Sequence, residues 1–172
     1  MPKLFLVRHA EPAATGILLG HTNPSLSHAG RSAAARLRLP VRIVYSSPLR
    51  RALETASLVG LRTVVLQELA EISYGEWDGK SWDTIQSLHP ELASRKQVDW
   101  RGVTPPGAEH WNDFAARVAR ALCIIRSGPF PAAVIAHAAV NAELARLLCG
   151  VDPLSFQQDY CGVLEYEITT GG

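Results

Sequence analysis

The sequence predicts an α/β protein, a three-layer α/β/α sandwich on a mainly parallel sheet with one antiparallel edge strand. Three observations lead there. Short apolar runs recur along the chain, at Leu4-Phe5-Leu6-Val7, Ile43-Val44-Tyr45 and Val134-Ile135-Ala136. Segments of helical spacing lie between them, and this β–α alternation favours parallel strands covered on both faces. Gly162 to Ile168 instead alternates, with Val163, Glu165 and Glu167 against Leu164, Tyr166 and Ile168, as a half-exposed edge strand would.

Each element has its own signal. Lys3 to Val7 reads as a buried strand, and Glu11 to Ser25, rich in Pro, Gly, Thr and Asn, as a loop. Ser27 is placed to cap a helix through Ala33, Ala34 and Leu37, which Pro40 stops. Arg42 to Ser46 is the next strand. A helix over Pro48 to Val59 has proline at its start and Gly60 at its end, the usual asymmetry. Thr63 to Leu66, β-branched and apolar, is a third strand.

Regularity fades from Gln67 to Gly107. This stretch holds three of the 4 tryptophans, several acids and a Pro-Pro-Gly turn, and one short helix is expected near Trp82 to Leu88. Such a long irregular stretch suggests a cap-like insertion, around 67–109, within a single domain over 1–172. Trp111 to Ile125 has helical spacing at Phe114, Val118, Leu122 and Ile125. Ala132 to Ala136 is a strand, and Val140 to Leu148 a helix closed by Gly150.

Composition narrows the function. The 172 residues are 47% hydrophobic and 19% charged, enough for one folded core and contrary to disorder. A net charge of +1 argues against nucleic acid as a partner. No stretch is long enough to span a membrane, and Arg8 breaks the first apolar run too early for a signal peptide. The 3 cysteines, Cys123, Cys149 and Cys161, lack close spacing and cannot all pair, so reduced thiols and a cytoplasmic location are expected. Cys123 and Cys149 fall in apolar helical segments and are expected in the core.

The chemistry gathers at strand ends. Arg8 and His9 follow the first apolar run, His137 follows Val134 to Ala136, and Ser46 to Arg51 follows Ile43 to Tyr45. Ligands of open α/β sheets bind outside the carboxyl ends of the strands, so these residues should share one edge. A neutral histidine can attack phosphorus and carry the phosphoryl group. Arg8, Arg51 and His137 are suited to hold the phosphoryl oxygens, arginine by its planar fork. Glu71, after the third strand, is placed to protonate the leaving oxygen if burial raises its pKa. His21 and His110 are candidates for the pocket rim, His28 and His89 for the surface. Trp77, Trp82, Trp100 and Trp111 suit cap packing better than base stacking.

These segments resemble a known family. Val7-Arg8-His9-Ala10-Glu11, Tyr45 through Ala56, Leu69 through Gly79, the Ala136-His137 pair and Pro105-Pro106-Gly107-Ala108-Glu109 resemble the histidine phosphatase superfamily, of phosphoglycerate mutase-like fold, in the family's order. The resemblance implies His9 as phospho-acceptor. It implies Arg8, Arg51 (over its twin Arg50) and His137 as phosphate ligands, and Glu71 as proton donor and then base for water. It implies no metal, no cofactor, and a small phosphorylated molecule as substrate. The short chain and the Pro-Pro-Gly element look like the α-ribazole-phosphate phosphatases.

Three positions depart from the pattern. Ala10 stands where many members have glycine. Thr15 stands where an asparagine commonly reaches the phosphate, and its hydroxyl is a substitute donor. Ala138 follows His137 in place of glycine, and its methyl group would crowd a phosphate against that backbone. The rival readings are a phosphoglycerate mutase, a metallohydrolase on His9, His137 and a carboxylate, and a non-catalytic phosphate-binding module. The two arginines make the metal site electrostatically poor.

Overall fold

A computed structural model of the chain describes residues 1–169. Five strands form one sheet: β1 (Lys3–Arg8), β2 (Ile43–Ser46), β3 (Thr63–Val65), β4 (Ala132–Ala136) and β5 (Val163–Glu167), in the order β3-β2-β4-β1-β5. The first four are mutually parallel, and β5 runs antiparallel to β1, Leu6 facing Leu164. The β5 side chains alternate between exposed and half-buried, as its pattern requires at an edge.

The helices are α1 (His28–Arg36), α2 (Arg50–Val59), α3 (Trp82–Leu88), α4 (Pro90–Val98), α5 (Trp111–Arg126) and α6 (Ala138–Cys149). The period-2 geometry of the strands sorts their side chains between two layers. Leu4, Leu6, Tyr45, Val134 and Ala136 pack with Phe114, Val118 and Leu122 of α5 and Val140 and Leu144 of α6. Phe5, Val7, Val44, Ala133 and Ile135 pack on the opposite face with Ala52 and Ala56 of α2.

Local chemistry sets the ends. The Ser27 hydroxyl accepts the Gly30 N–H at the start of α1. Gly60 closes α2 with φ 74°, a left-handed conformation that suits glycine. Pro48 lies outside α2, which begins two residues later behind Leu49. The strand expected to reach Leu66 ends at Val65, and α6 starts at Ala138, before the expected Val140.

The stretch after β3 departs most from expectation. It carries short 3-10 turns at Gln67–Leu69 and Gly75–Trp77, then two helices where one was predicted. The missed α4 is a polar segment that buries little beyond Ala93 and Lys96, so it has almost no apolar stripe to read. Pro90 at its first turn was its available signal. Trp77, Ile85 and Ala93 form a separate small core, against which Leu18 and Trp82 pack. The Lys96 ammonium beneath it donates to the carbonyls of Trp100 and Val103.

The cysteines require a correction. Cys123 and Cys149 are exposed, and only Cys161 is partly buried. Their helices have the expected apolar faces, but Cys123 lies one step past buried Leu122, where the 3.6-residue repeat turns it outward. Among the described residues, no helix is long and apolar enough to cross a membrane.

Candidate active site

Arg8 ends β1, and His9 follows it. The His9 backbone N–H donates to Ala136 O of β4 (2.9 Å), tying the two strand ends together. His137 follows β4 and precedes α6, and its ring centroid is 5.1 Å from that of His9. Arg51, in the first turn of α2, brings its guanidinium to the same place, its Nε 3.2 Å from His9 Nε2. Glu71, after β3, completes the group. A pocket of about 170 Å³ is lined by Arg8, His9, Arg51 and Glu71 with Ala138 and Tyr160.

The His9 tautomer follows from its partners. Nδ1 lies 2.7 Å from Ala10 O, and a carbonyl oxygen only accepts, so Nδ1 carries the proton. Nε2 receives the Arg51 Nε–H and therefore presents a lone pair. Burial lowers the His9 pKa to about 3, with Arg51 and Arg8 pushing the same way against the Ala10 bond, so the ring is neutral. A neutral imidazole in this tautomer, with its Nε2 lone pair kept unprotonated, has the form a nucleophile requires.

A closed loop of hydrogen bonds fixes this ring. The Ala10 N–H donates to Thr55 Oγ1 (3.0 Å), whose hydroxyl donates to Arg51 O (2.7 Å). Thr55 is fully buried on α2, one turn beyond Arg51. One hydroxyl thus joins the peptide that orients His9 to the helix that carries Arg51.

Arg51 is completely buried and also holds the loop before α1. Its Nη1 donates to Thr22 O, and its Nη2 to Leu19 O and Gly20 O. The loop is clamped from the other side by Asp78, which accepts the N–H groups of Gly20, His21 and Thr22. Gly20 leaves no room for a side chain: a Cβ would lie 2.5 Å from Ile72 O and 2.6 Å from Asp78 Oδ2.

This clamp explains why Thr15 departs from expectation. The bonds from Arg51 and Asp78 draw residues 19–22 inward, and Ile17, Leu18 and Leu19 line the pocket. Thr15 stays exposed on the outer part of the loop and lines no part of it. His21 reaches the edge of the site, its Nε2 donating to Glu71 O at 2.9 Å. His110 does not: it lines a separate cavity with Arg101 and Arg146.

Arg8 and His137 supply unused donors. The Arg8 Nη1 donates to Gln158 O (2.8 Å), and its guanidinium carbon sits 4.1 Å from the centroid of the Tyr160 ring. Its Nε is buried without a partner among the described residues, and so is His137 Nδ1. Burial holds the His137 pKa well below its usual 6.5, with the charges of His9 and the arginines adding to the effect. His137 Nε2 lies 2.7 Å from Ser47 Oγ, which also accepts the Leu49 N–H. If the Ser47 hydroxyl donates to Nε2, the one ring proton sits on Nδ1, a buried N–H without a partner among the described residues. Two orphaned buried donors beside a neutral nucleophile describe an anion site.

Glu71 is 5% exposed and caught between opposing effects. Burial raises its pKa and prevails. The N–H groups of Ile72 and Ala139, then Arg51 and Arg117, pull it back. Arg117 is placed by Glu109, at 2.7 and 2.8 Å, and also donates to the carbonyls of Glu68, Ala70 and Glu71. Among the described residues, no three His, Cys, Asp or Glu side chains are grouped to hold a metal ion.

Tyr160, Tyr74 and the Ile17–Leu19 segment went unread as pocket residues. Tyr160 arrives on the turn before β5, fastened by Gln158, whose Nε2 donates to Leu6 O and Gly162 O. Nothing local in the sequence announces that contact. Thr55 and Ser47 lay inside the Tyr45–Ala56 segment, where one alcohol follows Arg51 by a helical turn and the other follows β2 directly.

Relatives share this architecture. The chain is 31% identical over 163 residues to a Hydrogenobacter thermophilus protein named as a phosphoserine phosphatase, covering 88% of this chain and 80% of that one. It is 30% identical over 129 residues to the adenosylcobalamin/α-ribazole phosphatase of Salmonella typhimurium, covering 69% of this chain and 64% of the relative. The crystal structure of the α-ribazole phosphatase from Shigella flexneri superposes with a TM-score of 0.87 at 26% identity, over 97% of this chain and 91% of that one. The defining pattern of the histidine phosphatase superfamily (branch 1) matches residues 4–172, and this chain belongs to that family.

Proposed function

We propose that the protein is a phosphomonoesterase that hydrolyses a small phosphorylated metabolite through a phosphohistidine on His9, without a metal. The observation that carries this reading is the neutral His9 ring lining the pocket, its Nδ1 proton held by Ala10 O and its Nε2 lone pair held in place by the Arg51 Nε–H. The phosphatase names of its relatives agree with it.

In the first step the Arg51 Nε–H turns from His9 Nε2 to a phosphoryl oxygen, the freed Nε2 lone pair attacks phosphorus, the bond to the ester oxygen breaks, and Glu71 gives that oxygen its proton. Arg8 Nε–H and His137 Nδ1–H donate to the non-bridging oxygens. Arg51 contributes its buried charge and its remaining Nη1 hydrogen. In the second step the Glu71 carboxylate takes a proton from water, the water oxygen attacks phosphorus, and the P–N bond returns its pair to Nε2. Thr15 is left out of the ligand set, because it stands exposed on the outer part of its loop and lines no part of the pocket. Ala138 lines the pocket in the first turn of α6, where a helical residue needs no glycine. Its exposed thiols suit the reducing interior of a cell.

The test is phosphate release from p-nitrophenyl phosphate in excess chelator, for the wild type and His9→Ala side by side. Turnover by the wild type alone is expected. Equal turnover by both proteins, or activity that returns only with added metal, refutes the mechanism.

A further inference from the structure

The pocket is polar at one end only. Its phosphoryl end holds Arg8, His9, Arg51 and Glu71, and the remaining wall is Ile17, Leu18, Leu19, Tyr74, Ala138 and Tyr160. That wall offers aliphatic carbon, two aromatic rings and two phenol groups. Among the described residues it contributes no third cation.

The nearby basic side chains are committed elsewhere. Every N–H of the Arg117 side chain is used, on Glu109 and on the carbonyls of Glu68, Ala70 and Glu71. Arg50 pairs with Glu54, 2.7 Å away on the outer face of α2. Lys80 caps the Glu76 carbonyl. Arg101 and Arg146 pair with Asp152 and Glu143 around a different cavity. The His21 Nε2 hydrogen is held by Glu71 O. Beyond the two arginines that hold the phosphoryl group, His9 and the two phenols, the ionisable side chain lining the pocket is Glu71, a carboxyl.

We infer that the site selects phosphomonoesters whose leaving group is uncharged, the esters of a neutral alcohol, sugar or phenol, and rejects those carrying a second phosphate or a carboxylate near the ester. This rests on the phosphatase reading of the same pocket and narrows it. Binding places the leaving group against Ile17, Leu19 and Tyr160, where a neutral group gains contact and a hydroxyl finds a phenol oxygen. A carboxylate there loses its water and meets no counter-charge beyond the two arginines that the phosphoryl group already engages, an unfavourable transfer. The two arginines cannot serve a second anion as well. Arg51 is bound to three carbonyls, and Arg8, held by Gln158 O between the phosphoryl end and the Tyr160 ring, is already engaged by the phosphoryl group.

A matched pair tests this. Glycerol 3-phosphate and 3-phosphoglycerate differ by a CH₂OH group against a carboxylate. Their inhibition constants against p-nitrophenyl phosphate hydrolysis, and their calorimetric affinities for His9→Ala, compare the two groups with little change of shape. The glycerol ester should bind about 100-fold more tightly, as expected when an unpaired charge is desolvated. Leu19→Lys, which puts an ammonium on the wall, should reduce that ratio about 10-fold by recovering 3-phosphoglycerate. Equal affinity, or a preference for 3-phosphoglycerate, overturns the inference. A ratio that Leu19→Lys leaves unchanged overturns its electrostatic basis. If the wild type fails to hydrolyse p-nitrophenyl phosphate while His9→Ala still prefers the neutral ester, the phosphatase reading falls and the charge selection stands.

Discussion

Keeping His9 neutral has a consequence for stability that can be measured without substrate. The folded ring titrates at about 3, against a usual value of 6.5. Between those two values the unfolded chain binds a proton that the folded chain refuses, so stability falls as pH is lowered through that window. The slope is about 1.4 kcal/mol per pH unit, so going from pH 8 to pH 5 removes about 2 kcal/mol through His9. His137, shifted in the same direction and within 5.1 Å, adds to the loss. His9→Asn keeps an amide N–H for Ala10 O and removes the titration. Urea unfolding of both proteins at pH 8 and pH 5 gives the comparison. Acidification should cost the variant about 2 kcal/mol less than the wild type, since the carboxylates are common to both. If the two lose the same stability within about 0.5 kcal/mol, the ring is not held neutral by burial, and the argument for its nucleophilic form fails.

The other groups of the site give separate tests. Glu71→Gln should slow hydrolysis of an alkyl phosphate by about 10²–10³-fold and of p-nitrophenyl phosphate by less than about 10-fold, because a good leaving group needs little protonation. Equal losses would remove Glu71 as the acid. Arg51→Lys should reduce kcat/KM by about 100-fold and raise proteolysis within residues 19–22, since an ammonium cannot bridge three carbonyls in one plane. Unchanged cleavage of that loop would show that Arg51 does not hold it. Ser47→Ala removes the hydroxyl against His137 Nε2 and should weaken vanadate binding about 10-fold, with Ser47→Thr recovering part of it. Full vanadate affinity in Ser47→Ala would mean that His137 keeps its tautomer unaided.

The sheet was legible because its strands are short, apolar and well separated, and the half-exposed alternation of Val163 to Ile168 marked the edge. The convergence of Arg8, His9, Arg51 and Glu71 on one pocket, with the His137 ring beside His9, was legible for the same reason: each lies at or after the end of a strand, and a parallel sheet puts those ends together. What stayed hidden depends on contacts between distant loops. Thr15 was misplaced because spacing along a loop does not reveal its direction, which the guanidinium of Arg51 and the carboxylate of Asp78 set from opposite sides. Tyr160 reaches Arg8 only through the Gln158 anchor, 150 residues from Arg8 in the chain. Cys123 shows a smaller failure, where an apolar segment was read correctly and its phase was not.

The position of Glu71 links the fold to the chemistry. A free carboxylate at neutral pH is a base, whereas the first step needs an acid. Burial alone would keep it protonated, but Ile72 N–H at 3.0 Å and Ala139 N–H at 3.2 Å both favour the ionised form. Ala139 lies in the first turn of α6, so the helix end that follows His137 also steadies the carboxylate. The balance still lies above the ordinary value, which leaves Glu71 poised rather than locked. A phosphate dianion entering beside it adds negative charge and pushes its pKa further up. Transfer of the phosphoryl group to His9 and loss of the leaving group then relieve part of that field, and the carboxylate left behind is a base for water. The same residue can therefore serve both half-reactions, because the substrate's charge favours its protonated form and phosphoryl transfer to His9 relieves that bias. This requires the alkaline limb of the kcat profile to lie above that of kcat/KM, since Glu71 must be protonated for the first step and the bound complex titrates higher than the free enzyme. Coincident limbs would show that the phosphate does not couple to Glu71, and a different proton donor would have to be sought.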